Sequence, residues 1–126
     1  MHKSKLAGFI IDCQTTDLGG AAAFWGAALG MRVESLPGTE GQSYAQLLDP
    51  LGRLHVEVQT VSHPSRVHLD LESDDIEAEV RRLEALGAKR VRQVHTWWVL
   101  EAPTGQRFCV VRAQSPGFAE QATTWP

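Results

Sequence analysis

Few cysteines, no paired-cysteine motif, no long hydrophobic run and no excess of positive charge set the first limits on this chain. Its 126 residues include two cysteines, Cys13 and Cys109, and neither belongs to a Cys-x-x-Cys pair, so a structural zinc site of that kind is not expected. Both lie in apolar, strand-like contexts, and a chain of this size does not need a disulfide staple, so two reduced, buried thiols are expected. No stretch approaches the length of a membrane span. The first residues are polar with no apolar run behind them, so a signal peptide is not expected and the location is read as cytoplasmic. A net charge of −3, with Lys and Arg scattered among carboxylates, leaves no basic footprint for nucleic acid.

What is present is an internal repeat. Asp17 opens a helix-like run that ends in Ala28-Leu29-Gly30, and Asp74 opens another that ends in Ala85-Leu86-Gly87, the two landmarks displaced by the same interval. Each run leads on to a Pro-x-Gly turn, Pro50-Leu51-Gly52 and Pro103-Thr104-Gly105, followed by an apolar segment. Two copies are too few for a solenoid, which needs three or more units to close its core. The repeat therefore predicts one pseudo-symmetric domain.

Local signals divide each copy in the same way. In the first, residues 5–13 read as a strand, Asp17 as a helix N-cap, and Leu18, Ala21, Ala22, Trp25 and Leu29 as the apolar face of a helix stopped by Gly30. Strands follow at residues 31–36, 43–48 and 53–58. In the second, residues 66–72 read as a strand, Asp74 as the cap, and Ile76, Val80, Leu83 and Leu86 as the apolar stripe, with Glu77 and Arg81 spaced for an i,i+4 pair. Strands are expected at 89–92, 97–100 and 107–112. The class is α+β, two βαβββ modules at about residues 5–59 and 65–112, within a domain spanning 1–112. Residues 113–126, rich in Pro, Gly, Ser and Thr, read as an irregular C-terminal arm.

This order, together with Phe24-Trp25 before Ala28-Leu29-Gly30 and with His68-Leu69-Asp70-Leu71 before Leu83-Glu84-Ala85-Leu86-Gly87, resembles the vicinal oxygen chelate superfamily. That superfamily holds glyoxalase I, extradiol dioxygenases, fosfomycin-resistance transferases and bleomycin-binding proteins. With Gly105-Gln106-Arg107-Phe108-Cys109-Val110-Val111, the resemblance narrows to the glyoxalase-like domain branch and covers roughly residues 5–112. It implies a cup formed by the strands of both modules, often completed by a second subunit, so a homodimer is expected. One fold hosts many chemistries.

Metal-dependent members take one ligand from the first and one from the fourth strand of each module. Carried over by position, the resemblance puts Ile10, Val56 or (one residue along) Glu57, His68 and Cys109 at those places. Ile10 offers no donor and Cys109 stands where a Glu would be, so no metal or other cofactor is expected, and glyoxalase I activity is not. The alternative is a divalent metal ion held through His68, Glu57 and Cys109.

Strand alternation puts His68 and Asp70 on one face and Val67, Leu69 and Leu71 on the other. The apolar set is expected under the helix and the polar set, with Asp12, in the cup, where an Asp beside a His makes an acid–base pair. His55, Glu57 and Gln59 form a second polar stripe whose direction the sequence leaves open. Adjacent Trp97 and Trp98 point to opposite faces, one inward to the core and one available as an aromatic wall for a flat ligand, and Trp125 reads as an anchor for the tail.

Two functions follow. The first is metal-independent binding of an apolar or aromatic small molecule, with Asp12, His55, Trp97, Trp98 and Cys109 as contacts. The second is a lyase- or isomerase-type enzyme on a small oxygenated substrate, with His68, Asp70 and Glu57 as catalytic groups.

Overall fold

The carboxylate of Asp17 accepts a hydrogen bond from the Gly20 amide at 3.0 Å and opens helix α1 (Leu18–Leu29). Gly30 closes the helix with φ at 68°, a left-handed conformation that costs glycine least. The computed structural model describes residues 1–126, a mixed α+β chain. It divides into two units, Gly8–Val67 and Met1–Ala7 joined with His68–Pro126.

In the Gly8–Val67 unit, α1 is accompanied by the second half of β1 (His2–Gln14), β2 (Arg32–Ser35), a 3-10 turn at Gly38–Gln42, β3 (Tyr44–Leu48) and β4 (His55–Val61). The strand order is β2-β3-β4-β1, with β1 parallel to β4 and the other pairs antiparallel. Ile11, Leu47, Val56 and Val58 form the buried core, against which Leu18, Ala21 and Trp25 of α1 pack. Alternation then puts Ile10, Asp12, His55, Glu57 and Gln59 on the opposite face. This settles the direction of the Glu57 stripe: Val56 lies in the core beneath the helix and Glu57 does not.

The second unit repeats the arrangement with β5 (Arg66–Ser73), α2 (Ile76–Ala85), β6 (Lys89–Val94), β7 (Trp97–Glu101) and β8 (Arg107–Arg112). Its order β6-β7-β8-β5 matches that of the first unit strand for strand, with β5 parallel to β8. Val80, Leu83, Leu100 and Val110 form its core, with Leu71, Ile76, Trp98 and Phe108 packed against them. Glu77 and Arg81 pair at 3.1 Å as their spacing predicts.

Four details differ from the sequence reading. The cap of α2 is Asp75, which accepts from the Ala78 amide at 3.1 Å, while Asp74 is held by the Lys3 amide at 2.8 Å. A carboxylate already engaged by a neighbouring strand is lost to capping, and the adjacent Asp takes its place. Leu86 is exposed because the helical turn ends at Ala85. Leu71 packs beneath α2, but Leu69 and Val67 are 50% and 57% exposed, because the helix covers only the last part of β5.

The last segment is not irregular. It forms a short helix α3 (Phe118–Gln121) and strand β9 (Thr123–Trp125), which pairs antiparallel with His2–Ser4 of β1. Trp125 anchors it, donating from Nε1 to Ser4 Oγ at 2.8 Å while the Arg82 guanidinium stacks 3.7 Å from its ring centre. Composition alone misses this, because the strand is short and its partner lies at the other end of the chain.

Candidate functional site

The register of β5 against β8 builds the cluster of greatest chemical interest. Asp70 is paired with Cys109 across parallel strands, which lie about 4.8 Å apart, and His68 is two residues from Asp70 on the same face. His68 Nε2 approaches Asp70 Oδ1 to 3.5 Å, with both side chains 13% exposed. One ligand atom from each of His68, Asp70 and Cys109 falls within 4.8 Å of the other two. An imidazole, a carboxylate and a thiol thus meet on the face of the sheet turned away from α2, the face opposite Leu71, Phe108 and Val110.

The same register sorts the tryptophans. Trp98 is opposite Val110 and packs into the core beside α2, with the Arg90 guanidinium 4.8 Å from its ring centre. It is therefore a core residue, which corrects its assignment as a ligand contact. Trp97 points the other way, to the face that carries Cys109 and Asp70, and Val99 stands between as the cross-strand partner of Cys109. The His95 ring tilts against Trp97 at 5.5 Å.

The remaining candidates belong to the Gly8–Val67 unit. His55 Nε2 and Glu57 Oε2 approach to 3.5 Å, and Glu57 is largely buried. Asp12 is 2% exposed and accepts from Arg66 Nε at 3.4 Å. A buried carboxylate beside a guanidinium serves first to hold the sheet, so Asp12 is less available to a ligand than its polar character suggests. Ile10, which shares the face of Glu57 as that residue's direct partner, brings no donor. Cys13 is half-buried on the α1 side, and burial pushes its thiol pKa up, which keeps it protonated and unreactive.

Sequence reasoning missed one buried polar network. Glu79 is 0% exposed and takes both Arg82 Nε and Nη2 at 2.8 Å, while His2 Nε2 lies 2.8 Å from its Oε1. Burial pushes the Glu79 carboxyl upward, but hydrogen bonds from Arg82, His2 and Ser4 outweigh it and hold the pKa below 4.5. The available signal was a Glu one position before Val80, on the helix's inner side.

Two βαβββ units that each have the strand order 2-3-4-1, with the helix of each packed on one face of its own strands, have the module of the vicinal oxygen chelate fold. The chain belongs to the family described as "Glyoxalase-like domain", which residues 8–111 match. No functionally curated protein matches it. Among solved structures it is similar to methylmalonyl-CoA epimerase from Mycobacterium tuberculosis, with 17% identity, 91% of each chain covered and a TM-score of 0.58. It is similar to an NAD-dependent benzaldehyde dehydrogenase from Legionella pneumophila at 8% identity, covering 84% of this chain and 99% of that one, with a TM-score of 0.59. A mutant of 4-hydroxymandelate synthase from Streptomyces coelicolor matches at 14% identity and a TM-score of 0.56, 90% of this chain lying on 50% of that one. At such identities the likeness is one of fold. No helix is long and apolar enough to cross a membrane.

Proposed function

We propose that this protein binds a small, flat, oxygenated molecule on the face of the β6-β7-β8-β5 sheet turned away from α2. The observation that carries the reading is the convergence of His68, Asp70 and Cys109 within 4.8 Å on the face that also presents Trp97. Trp97 supplies an aromatic wall, and His68 with Asp70 supplies both donor and acceptor to a hydroxyl or carbonyl. Ligand sites in general orient a mostly apolar molecule through a few polar groups, and Trp97 with the His68–Asp70 pair offers both kinds of contact.

The approach of His68 to Asp70 at 3.5 Å favours a second reading, a lyase or isomerase in which His68 moves a proton and Asp70 orients the ring. Methylmalonyl-CoA epimerase, a fold neighbour, is an isomerase by name.

A thermal-shift screen of small planar carbonyl and hydroxy-acid compounds tests both readings. Hits are expected to bind more weakly by about 1–3 kcal/mol in Trp97→Ala, the value of a buried aromatic anchor. In His68→Ala a binder loses mainly affinity, whereas an enzyme loses turnover far more than affinity. Hits that are indifferent to both substitutions bind elsewhere and end the proposal.

A further inference from the structure

We infer that His68, Asp70 and Cys109 form a three-donor site for a zinc-like divalent cation, contained within one unit of the chain. The inference departs from the ligand set that the resemblance implies. That set draws on both modules, and here the first module contributes Ile10, which has no donor, and either Val56, buried beneath α1, or Glu57. The second module compensates with a residue outside the set. Asp70 brings a carboxylate beside His68 at 3.5 Å and is the direct cross-strand partner of Cys109.

The chemistry of the donors selects the ion. One atom from each residue lies within 4.8 Å of the others. Ligand bonds of about 2.0–2.3 Å in tetrahedral array place neighbouring donors roughly 3.3–3.8 Å apart, so a small inward adjustment closes the site. Imidazole, thiolate and carboxylate together are borderline-soft, which disfavours magnesium and calcium and suits zinc or cobalt. Three protein ligands leave one position open, as catalytic zinc sites do. The three donors stand on the face that also carries Trp97, so an ion bound there would be able to polarise a ligand oxygen.

Binding would release the Cys109 proton to solvent, since a thiol on a divalent cation is deprotonated. An ion would also engage His68 and Asp70, so that it replaces their direct hydrogen bonds to a ligand in the first reading and takes His68 out of the proton-transfer role of the second. The inference does not require the small-molecule reading to hold, because ion binding is measured without any organic ligand.

The test is cobalt titration of the metal-stripped full chain, followed by zinc displacement. The expected result is one ion per chain, with a thiolate-to-cobalt charge-transfer band in the near ultraviolet that zinc abolishes. The band should vanish in Cys109→Ser. His68→Gln and Asp70→Asn should each weaken zinc binding by more than about 100-fold, since loss of even an outer-shell partner costs about 10–100-fold. Glu57→Gln should leave the affinity unchanged. The wild-type spectrum stands even if a variant misfolds. Absence of a stoichiometric ion or of the thiolate band overturns the site. So does binding that survives Asp70→Asn but is lost in Glu57→Gln, which restores the two-module arrangement.

Discussion

Glu79→Ala is expected to cost about 3 kcal/mol or more of folding stability, because removing one partner of a buried ion pair typically costs about 3–5 kcal/mol. Glu79 is fully buried on the inner side of α2, and its two oxygens hold Arg82 and His2 at 2.8 Å. Alanine leaves His2 buried without its partner. It also frees Arg82, whose guanidinium is otherwise positioned to stack on Trp125 and pin β9 to β1. The loss therefore spreads from the helix to the last strand. A chemical denaturation curve reads the free energy, and a thermal melt should fall by about 6 °C or more.

The acid limb gives an independent check. The folded Glu79 carboxyl titrates below 4.5, its ordinary value, because the bonds from Arg82, His2 and Ser4 outweigh its burial. A depressed folded pKa contributes stability that is full above the unfolded value and is lost as pH falls through the folded one. The stability gap between wild type and Glu79→Ala should accordingly be widest above pH 4.5 and narrow on acidification below it. Glu77→Ala supplies the contrast. Glu77 pairs with Arg81 and Arg90 near the surface, with 47% of its side chain exposed, and such pairs are worth about 0–1 kcal/mol. Equal losses from the two substitutions would show that the Glu79 network is not buried as described.

The contrast between these residues also explains what could be read from the chain beforehand. Periodic signals were legible: the apolar stripe of α2, the cap at Asp17, the αL stop at Gly30 and the order of elements in each module. Each rests on residues within a few positions of one another. The errors share the opposite property. Asp74 lost the cap to Asp75 because Lys3, far away in sequence, had engaged it. The tail formed a strand because its partner was His2–Ser4. Alternation put His68 and Asp70 on one face, but only the β5–β8 register brings Cys109 beside them. Similarly, the Trp97-Trp98 pair guarantees that one ring faces each way, and only packing against α2 decides which.

Gly8→Ala is expected to cost about 3 kcal/mol or more, beyond the roughly 1–3 kcal/mol of ordinary overpacking. Gly8 is the direct partner of His55 where β1 and β4 pair in parallel. A Cβ there would stand 1.9 Å from the His55 carbonyl oxygen and 2.7 Å from its carbonyl carbon and amide nitrogen. All three atoms are backbone, so no rotamer change relieves the clash. The strands must separate, which weakens the ladder that holds Ile11 against Val56 and Val58. Glycine inside a strand commonly marks such a close approach. The same substitution at Gly19 should go the other way. Gly19 lies in α1, and an added Cβ finds only Asp17 Oδ1 at 3.8 Å, so alanine gains up to about 1 kcal/mol from reduced backbone entropy. Denaturation of the two variants side by side measures opposite signs from one chemical change. A Gly8→Ala protein as stable as wild type would mean that β1 and β4 do not approach as the register requires. The position of Glu57 opposite Ile10 would then have to be reassigned as well.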